Sequence, residues 1–122
     1  AANGSSGGWK GLAFGSASDY AALASSLSYV TVDRAGEATT LGGSIPAVSA
    51  GLMLFTAGTS LTMDHVTVSN SSSHGFYASS STFNSSFSTA TGNLGYGVYA
   101  LSSDITMQGA TVSQNNSTGV FL

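Results

Sequence analysis

The sequence contains no cysteine, so neither a disulfide framework nor a thiolate metal site is available to it. Charge is nearly as scarce: 6% of the 122 residues are Asp, Glu, Lys or Arg, and Lys10 and Arg34 are the whole basic complement. With a net charge of −3 there is nothing to neutralise a phosphate backbone, which excludes nucleic acid as a partner. Long apolar runs are missing too. The longest, Ala47 to Ala57, is far short of a membrane span and contains Ser49 and Thr56, so no membrane span is expected. No signal-peptide pattern is visible at Ala1, and the chain reads as a mature protein or as a piece of something longer.

Ser, Gly, Ala and Thr carry most of the length, a bias that alone would suggest a disordered linker. Against that, 42% of residues are hydrophobic, mean hydropathy is +0.23, and the apolar residues recur at regular places. Gly75-Phe76-Tyr77-Ala78 returns as Gly97-Val98-Tyr99-Ala100 and again as Gly119-Val120-Phe121-Leu122, each time after 22 residues. Upstream, Gly51-Leu52-Met53-Leu54 precedes Gly75 by 24 residues, and Gly11-Leu12-Ala13-Phe14 precedes Gly51 by 40. A fixed period of this size is the mark of a repeat architecture.

Taken in order, residues 1–8 are small and polar and read as a flexible lead-in, with one domain over 9–122. Trp9 to Phe14 is the first strand candidate, and Ser18-Asp19 ahead of Tyr20 to Ala24 could cap a short helical turn. Leu27 to Val32 alternates as a half-buried strand. Asp33 to Ala47, with Gly36, Gly42, Gly43 and the only proline, Pro46, reads as an excursion that lengthens its coil. From Gly51 the coils tighten. Between Gly97 and Thr118, Val98 and Ala100, then Ile105 and Met107, then Ala110 and Val112 point inward, separated by corners at Ser102-Ser103, Gln108-Gly109 and Ser113 to Thr118. The preceding long coil matches with Leu52 and Leu54, Leu61 and Met63, Val66 and Val68.

Three short strands per turn describe an all-β, right-handed, single-stranded parallel β-helix, a β-solenoid, the hand following the usual rule for parallel crossovers. About four to five coils of roughly 22 residues are expected, one carrying a long insertion. Equivalent residues then stack ~4.8 Å apart, with Leu12, Leu52, Phe76, Val98 and Val120 as one inward column. The coil from Gly75 to Tyr96 is the weakest, since Ser85 and Ser88 fall inward, with Phe87 expected to replace the missing bulk.

Trp9-Lys10-Gly11-Leu12, the Leu27 to Val32 strand with Ala35-Gly36 behind it, and the Gly-apolar-Tyr coils resemble the parallel β-helix repeat regions of bacterial extracellular and surface proteins, the pectate-lyase-like superfamily in its broad sense. The resemblance covers nearly the whole chain and implies a secreted or cell-surface location. It is specific for fold and poor for activity, because that superfamily includes polysaccharide lyases and hydrolases, adhesins and phage tailspikes.

Its enzymes set a cluster of acids on one sheet. Here the acids are Asp19, Asp33, Glu37, Asp64 and Asp104. Asp64 is equivalent to Gln108, so its column does not continue as acid, and no two acids fall on neighbouring coils of one column as paired-carboxylate chemistry would need. Asp33, Arg34 and Glu37 are the best remaining catalytic candidates, against the simpler reading of a solvated loop with a local ion pair. His65 and His74 with Asp64 invite a metal site, but they belong to different corners and read as exposed corner histidines. No catalytic residue, cofactor or metal is therefore assigned.

Three surfaces are more informative. Thr31, Thr67, Thr89 and Thr111 stand between inward residues, followed two positions later by Asp33, Ser69, Thr91 and Ser113, a hydroxyl array of the kind found on ice-binding solenoids. Stacked strand threonines also support one another without any ligand. Met53, Tyr77, Tyr99 and Phe121 form an outward column that could stack on sugar rings of an extracellular glycan or serve as a contact patch, and Tyr77 and Tyr99 are expected to be partly exposed. Val120, Phe121 and Leu122 begin a further turn, an open edge on which more coils or another copy could stack, and so build a fibre. Asn-x-Ser/Thr sequences at Asn3, Asn70, Asn84, Asn115 and Asn116 arise by chance in so Ser- and Asn-rich a chain. The sequence thus points to a non-catalytic structural or adhesive segment, with a polysaccharide lyase or hydrolase fragment and an ice-binding surface as the rivals.

Overall fold

A computed structural model describes residues 12–14, 24–35, 50–54 and 60–122. All regular structure among them is strand. In chain order the strands are β1 (Leu12–Phe14), β2 (Ala24–Ser28), β3 (Thr31–Asp33), β4 (Ala50–Leu54), β5 (Ser60–Asp64), β6 (Thr67–Ser69), β7 (His74–Ser79), β8 (Thr82–Ser86), β9 (Thr89–Thr91), β10 (Val98–Leu101), β11 (Asp104–Gln108), β12 (Thr111–Ser113) and β13 (Val120–Phe121). Every third strand pairs in parallel, giving a first sheet β1-β4-β7-β10-β13, a second β2-β5-β8-β11 and a third β3-β6-β9-β12. The chain is a parallel β-solenoid. The coil count is smaller than the sequence suggests: about three turns are continuous, β4 to β6, β7 to β9 and β10 to β12.

The expected inward column is in register, Leu12 on Leu52, Leu52 on Phe76, Phe76 on Val98 and Val98 on Val120. Leu52, Phe76 and Val98 join Leu54, Leu61, Met63, Val68 and Phe83 in one continuous core, in which Phe76 meets Phe83 edge to face at 5.3 Å; Leu12 packs against it, whereas Val120, expected inward, is 40% exposed. That geometry adds about 0.5–1.5 kcal/mol beyond burial of the rings. The core runs along the solenoid because each strand contributes only one or two inward residues, so no single turn buries enough apolar surface alone.

The glycines that open the repeats at Gly51, Gly75 and Gly97 are fixed by close approach. A Cβ built on Gly97 would lie 2.4 Å from Val112 Cγ1 and 2.7 Å from the Gly119 carbonyl oxygen, and one on Gly51 would lie 2.3 Å from Val68 Cγ1. The backbone there passes against the third sheet and the next turn, and only glycine fits.

Single residues with positive φ make the corners, and they too form columns. Between the second and third sheets stand Tyr29, His65, Phe87 and Gly109, and after the third sheet Arg34, Asn70, Gly92 and Gln114, all with φ between 53 and 66°. This corrects the reading of Leu27 to Val32 as one strand: Tyr29, at φ 54°, turns the chain between β2 and β3. It also corrects Phe87, which occupies the equivalent corner at φ 53° and stands 56% exposed, so it fills no gap in the core. Ser85 and Ser88 are buried, as their inward positions require; Ser88 Oγ accepts from the Val66 N–H, while Ser85 Oγ has no hydrogen-bond partner. Residues 1–8, Trp9 to Gly11 and most of the expected helical turn over Tyr20 to Ala24 lie outside the described residues, though Ala24 itself is in β2; of the excursion from Asp33 to Ala47 only Asp33, the end of β3, Arg34 and Ala35 are described.

A ladder of amides ties the turns together beneath the last corner. The buried Asn93 accepts from the Ser71 N–H at 3.0 Å through Oδ1. Through its own N–H and Nδ2 it donates to Asn115 Oδ1 at 3.0 and 2.8 Å. Asn115 Nδ2 in turn donates to the Ala90 carbonyl. Backbone groups that a corner removes from the sheet ladder are satisfied in this way, which lets the turn be buried.

Candidate functional site

Strand alternation puts the side chains on two faces of each sheet. On the third sheet the inward residues are Val32, Val68 and Ala90, all buried, with Val112 packed against them. The threonines between them pair in register, Thr31 on Thr67, Thr67 on Thr89 and Thr89 on Thr111, as do Asp33, Ser69, Thr91 and Ser113. Hydroxyls of the second row touch: Ser69 Oγ donates to Asp33 Oδ1 at 2.8 Å, and Thr91 and Ser113 oxygens stand 3.3 Å apart.

Asp33 closes one end of this lattice. Its Oδ1 also accepts from Asn70 Nδ2 at 2.8 Å, and its Oδ2 lies 3.4 Å from Arg34 Nε. Hydrogen bonds from Asn70 and Ser69 hold its carboxyl below the usual value against an opposing effect of burial, with a lesser contribution from the Arg34 charge. The geometry is that of an ion pair locked into the lattice, with both carboxylate oxygens engaged. Asp19 and Glu37 lie outside the described residues.

On the first sheet the column Met53, Tyr77, Tyr99 and Phe121 is in register and faces away from the main core. Here exposure departs from expectation. Met53 and Tyr77 are 1% and 3% exposed and form a second buried cluster with Ala50, against which the partly exposed Tyr99 packs. An outward face is therefore not an open one, and of the proposed contact surface only Tyr99 and Phe121 reach solvent. His74, at the start of β7, joins them: its ring stacks on Tyr96 at 5.2 Å and on Tyr99 at 5.0 Å. Its Nδ1 accepts the Tyr96 backbone N–H at 3.1 Å, which fixes the proton on Nε2 in the neutral ring. Burial lowers its pKa.

The two histidines do not meet. His65 sits at the corner column, where its ring stacks on Tyr29 at 4.7 Å and on Phe87 at 5.2 Å, with Nδ1 2.9 Å from Asp64 Oδ1. Among the described residues no group of three or more His, Asp or Glu side chains gathers as a metal site would require. This corner ladder is a second aromatic row with exposed members, Tyr29 and Phe87, and strand alternation missed it because a corner residue belongs to no strand. The spacing of Tyr29, His65 and Phe87 by 36 and 22 residues is the signal that could have found it.

Val120, Phe121 and Leu122 are exposed. Beside them a concavity of about 560 Å³ opens over β11, lined by Ala100, Ser102, Ser103, Asp104, Ile105, Thr106 and Leu122. Of the Asn-x-Ser/Thr sites, Asn84 and Asn116 are exposed, whereas the amide groups of Asn70 and Asn115 are engaged in the hydrogen bonds above. No helix of the described residues is long and apolar enough to cross a membrane. No protein family, curated protein or solved structure matches the chain.

Proposed function

We propose that the chain is a non-catalytic structural and adhesive segment of a secreted or cell-surface protein, right-handed like the bacterial surface repeats it resembles, whose sheets are continued rung on rung by further turns or by another copy. The observation that carries this reading is the stepped edge at β11, β12 and β13. Among the described residues each of these strands is paired on one side only, and the partly covered Ile105, Met107 and Val112 lie at that edge. An open row of N–H and C=O groups next to an apolar face is a template for another strand. The acids support the same reading by their employment. Asp33 is held by Ser69, Asn70 and Arg34, and Asp64 is bonded to His65, one acid per column in each case. Assays on pectin, alginate and related polyuronates, with and without Ca²⁺, test it against a lyase or hydrolase: no turnover is expected, and robust turnover abolished by Asp33→Ala would overturn it.

A second reading is favoured by one observation, the in-register threonine columns of the third sheet. One row of β-branched threonines beside a row of Ser69, Thr91 and Ser113 that Asp33 ends gives a regular hydroxyl lattice on a parallel sheet, the kind of surface an ice-binding face would use. Thermal hysteresis lost on Thr89→Tyr would establish it, and ice growth indifferent to the protein would remove it.

A further inference from the structure

The adhesive reading leaves open what the surface holds, and the corner between the second and third sheets narrows it. Tyr29 stacks on His65 with 9° between the ring planes, yet it is 76% exposed. A ring with one face covered can be that exposed only if its other face is open. Below it, His65 rests on Phe87, and Phe87 rests on Gly109, where an added Cβ would come within 2.7 Å of the ring. Tyr29 is thus the outer end of a pile of three rings, each carried by a left-handed corner residue.

Polar columns run along both sides of the pile. Ser28, Asp64, Ser86 and Gln108 are in register immediately before the corner, and Thr31, Thr67, Thr89 and Thr111 two positions after it. An aromatic face flanked by hydroxyls and a carboxylate matches a sugar ring, which has an apolar C–H face and a rim of O–H groups. It matches a hydrophobic protein helix poorly, because the strip is one ring wide.

We propose that this corner is a glycan-binding strip that seats a neutral pyranose on the open face of Tyr29, with the flanking hydroxyls bonding its rim. The net charge of −3 selects against polyuronates. Because the rings are already stacked, little side-chain freedom is lost on binding. The inference rests on the adhesive reading, and the test separates the two. The 122-residue chain is titrated with cello- and chito-oligosaccharides and with oligogalacturonate while aromatic side-chain resonances are followed by NMR, and reducing ends are measured in the same samples. Expected are saturable shifts of the Tyr29, His65 and Phe87 rings with a neutral sugar, weakened at least tenfold in Tyr29→Ala, preserved in Tyr29→Phe, and without new reducing ends. Shifts absent for every neutral sugar, equal in wild type and a folded Tyr29→Ala, or seen only with oligogalacturonate would overturn the strip and leave the non-catalytic reading standing. New reducing ends would overturn that reading instead.

Discussion

Gly97 shows how tightly one residue type can be specified by what passes over it. Its missing side chain makes room for Val112 Cγ1 and for the Gly119 carbonyl, both of which would lie within 2.7 Å of a Cβ. At Gly119 the same column meets only Val112 Cγ1, at 3.4 Å, an ordinary contact. Gly97→Ala is accordingly expected to destabilise by about 1–3 kcal/mol, the usual cost of overpacking, while Gly119→Ala stays close to wild type. Urea unfolding of the two variants checks the contrast. Two other residues make stability depend on pH, and both act in the same direction. His74 has a lowered pKa in the fold, so its contribution is present above the unfolded imidazole value of about 6.5 and is lost as pH falls below it. The Asp33 carboxyl is also lowered, so its contribution is present above about 4 and lost as pH falls through the folded value. The denaturation midpoint should therefore fall in two stages on acidification. His74→Phe should flatten the first stage and Asp33→Asn the second; a midpoint independent of pH from 7 to 3 would contradict both assignments.

At the scale of the element, the turn from β7 to β9 is the weak one. Ser85 stands in register between Met63 and Met107, buried and with its hydroxyl unpartnered. A buried hydroxyl without a hydrogen bond costs about 1–3 kcal/mol. Ser85→Ala should thus raise the unfolding midpoint, an outcome rare for core substitutions, and thermal melts would show it. This turn also marks what can be read from sequence. Ser85 and Ser88 were legible as inward positions because alternation fixes which face a strand residue takes. The repeat of Gly-apolar-aromatic fixed the first sheet in the same way, down to the pairing of Phe76 with Val98. The corners of the last turn were legible, Ser102, Gly109 and Gln114 falling within the expected breaks, but the corner at Tyr29 was not. Tyr, His, Phe, Arg, Asn, Ser, Gln and Gly all occupy corners, so no residue preference announces a left-handed turn, and Tyr29 was absorbed into a strand. Nor can alternation tell whether an outward face is covered, which is why Met53 and Tyr77 were expected at the surface and are buried.

At the scale of the molecule, the first sheet has five strands and the other two have four, so β13 stands one rung beyond β11 and β12. Among the described residues the step leaves one side of three strands without a paired strand around a partly covered core, and it is on this edge that the structural reading depends. Sedimentation velocity of the 122-residue chain over a range of concentrations, as wild type and as Val120→Asp and Phe121→Pro, is the most direct test. Concentration-dependent association that either substitution relieves is predicted; a monodisperse monomer at high concentration, unchanged by both, would contradict the account.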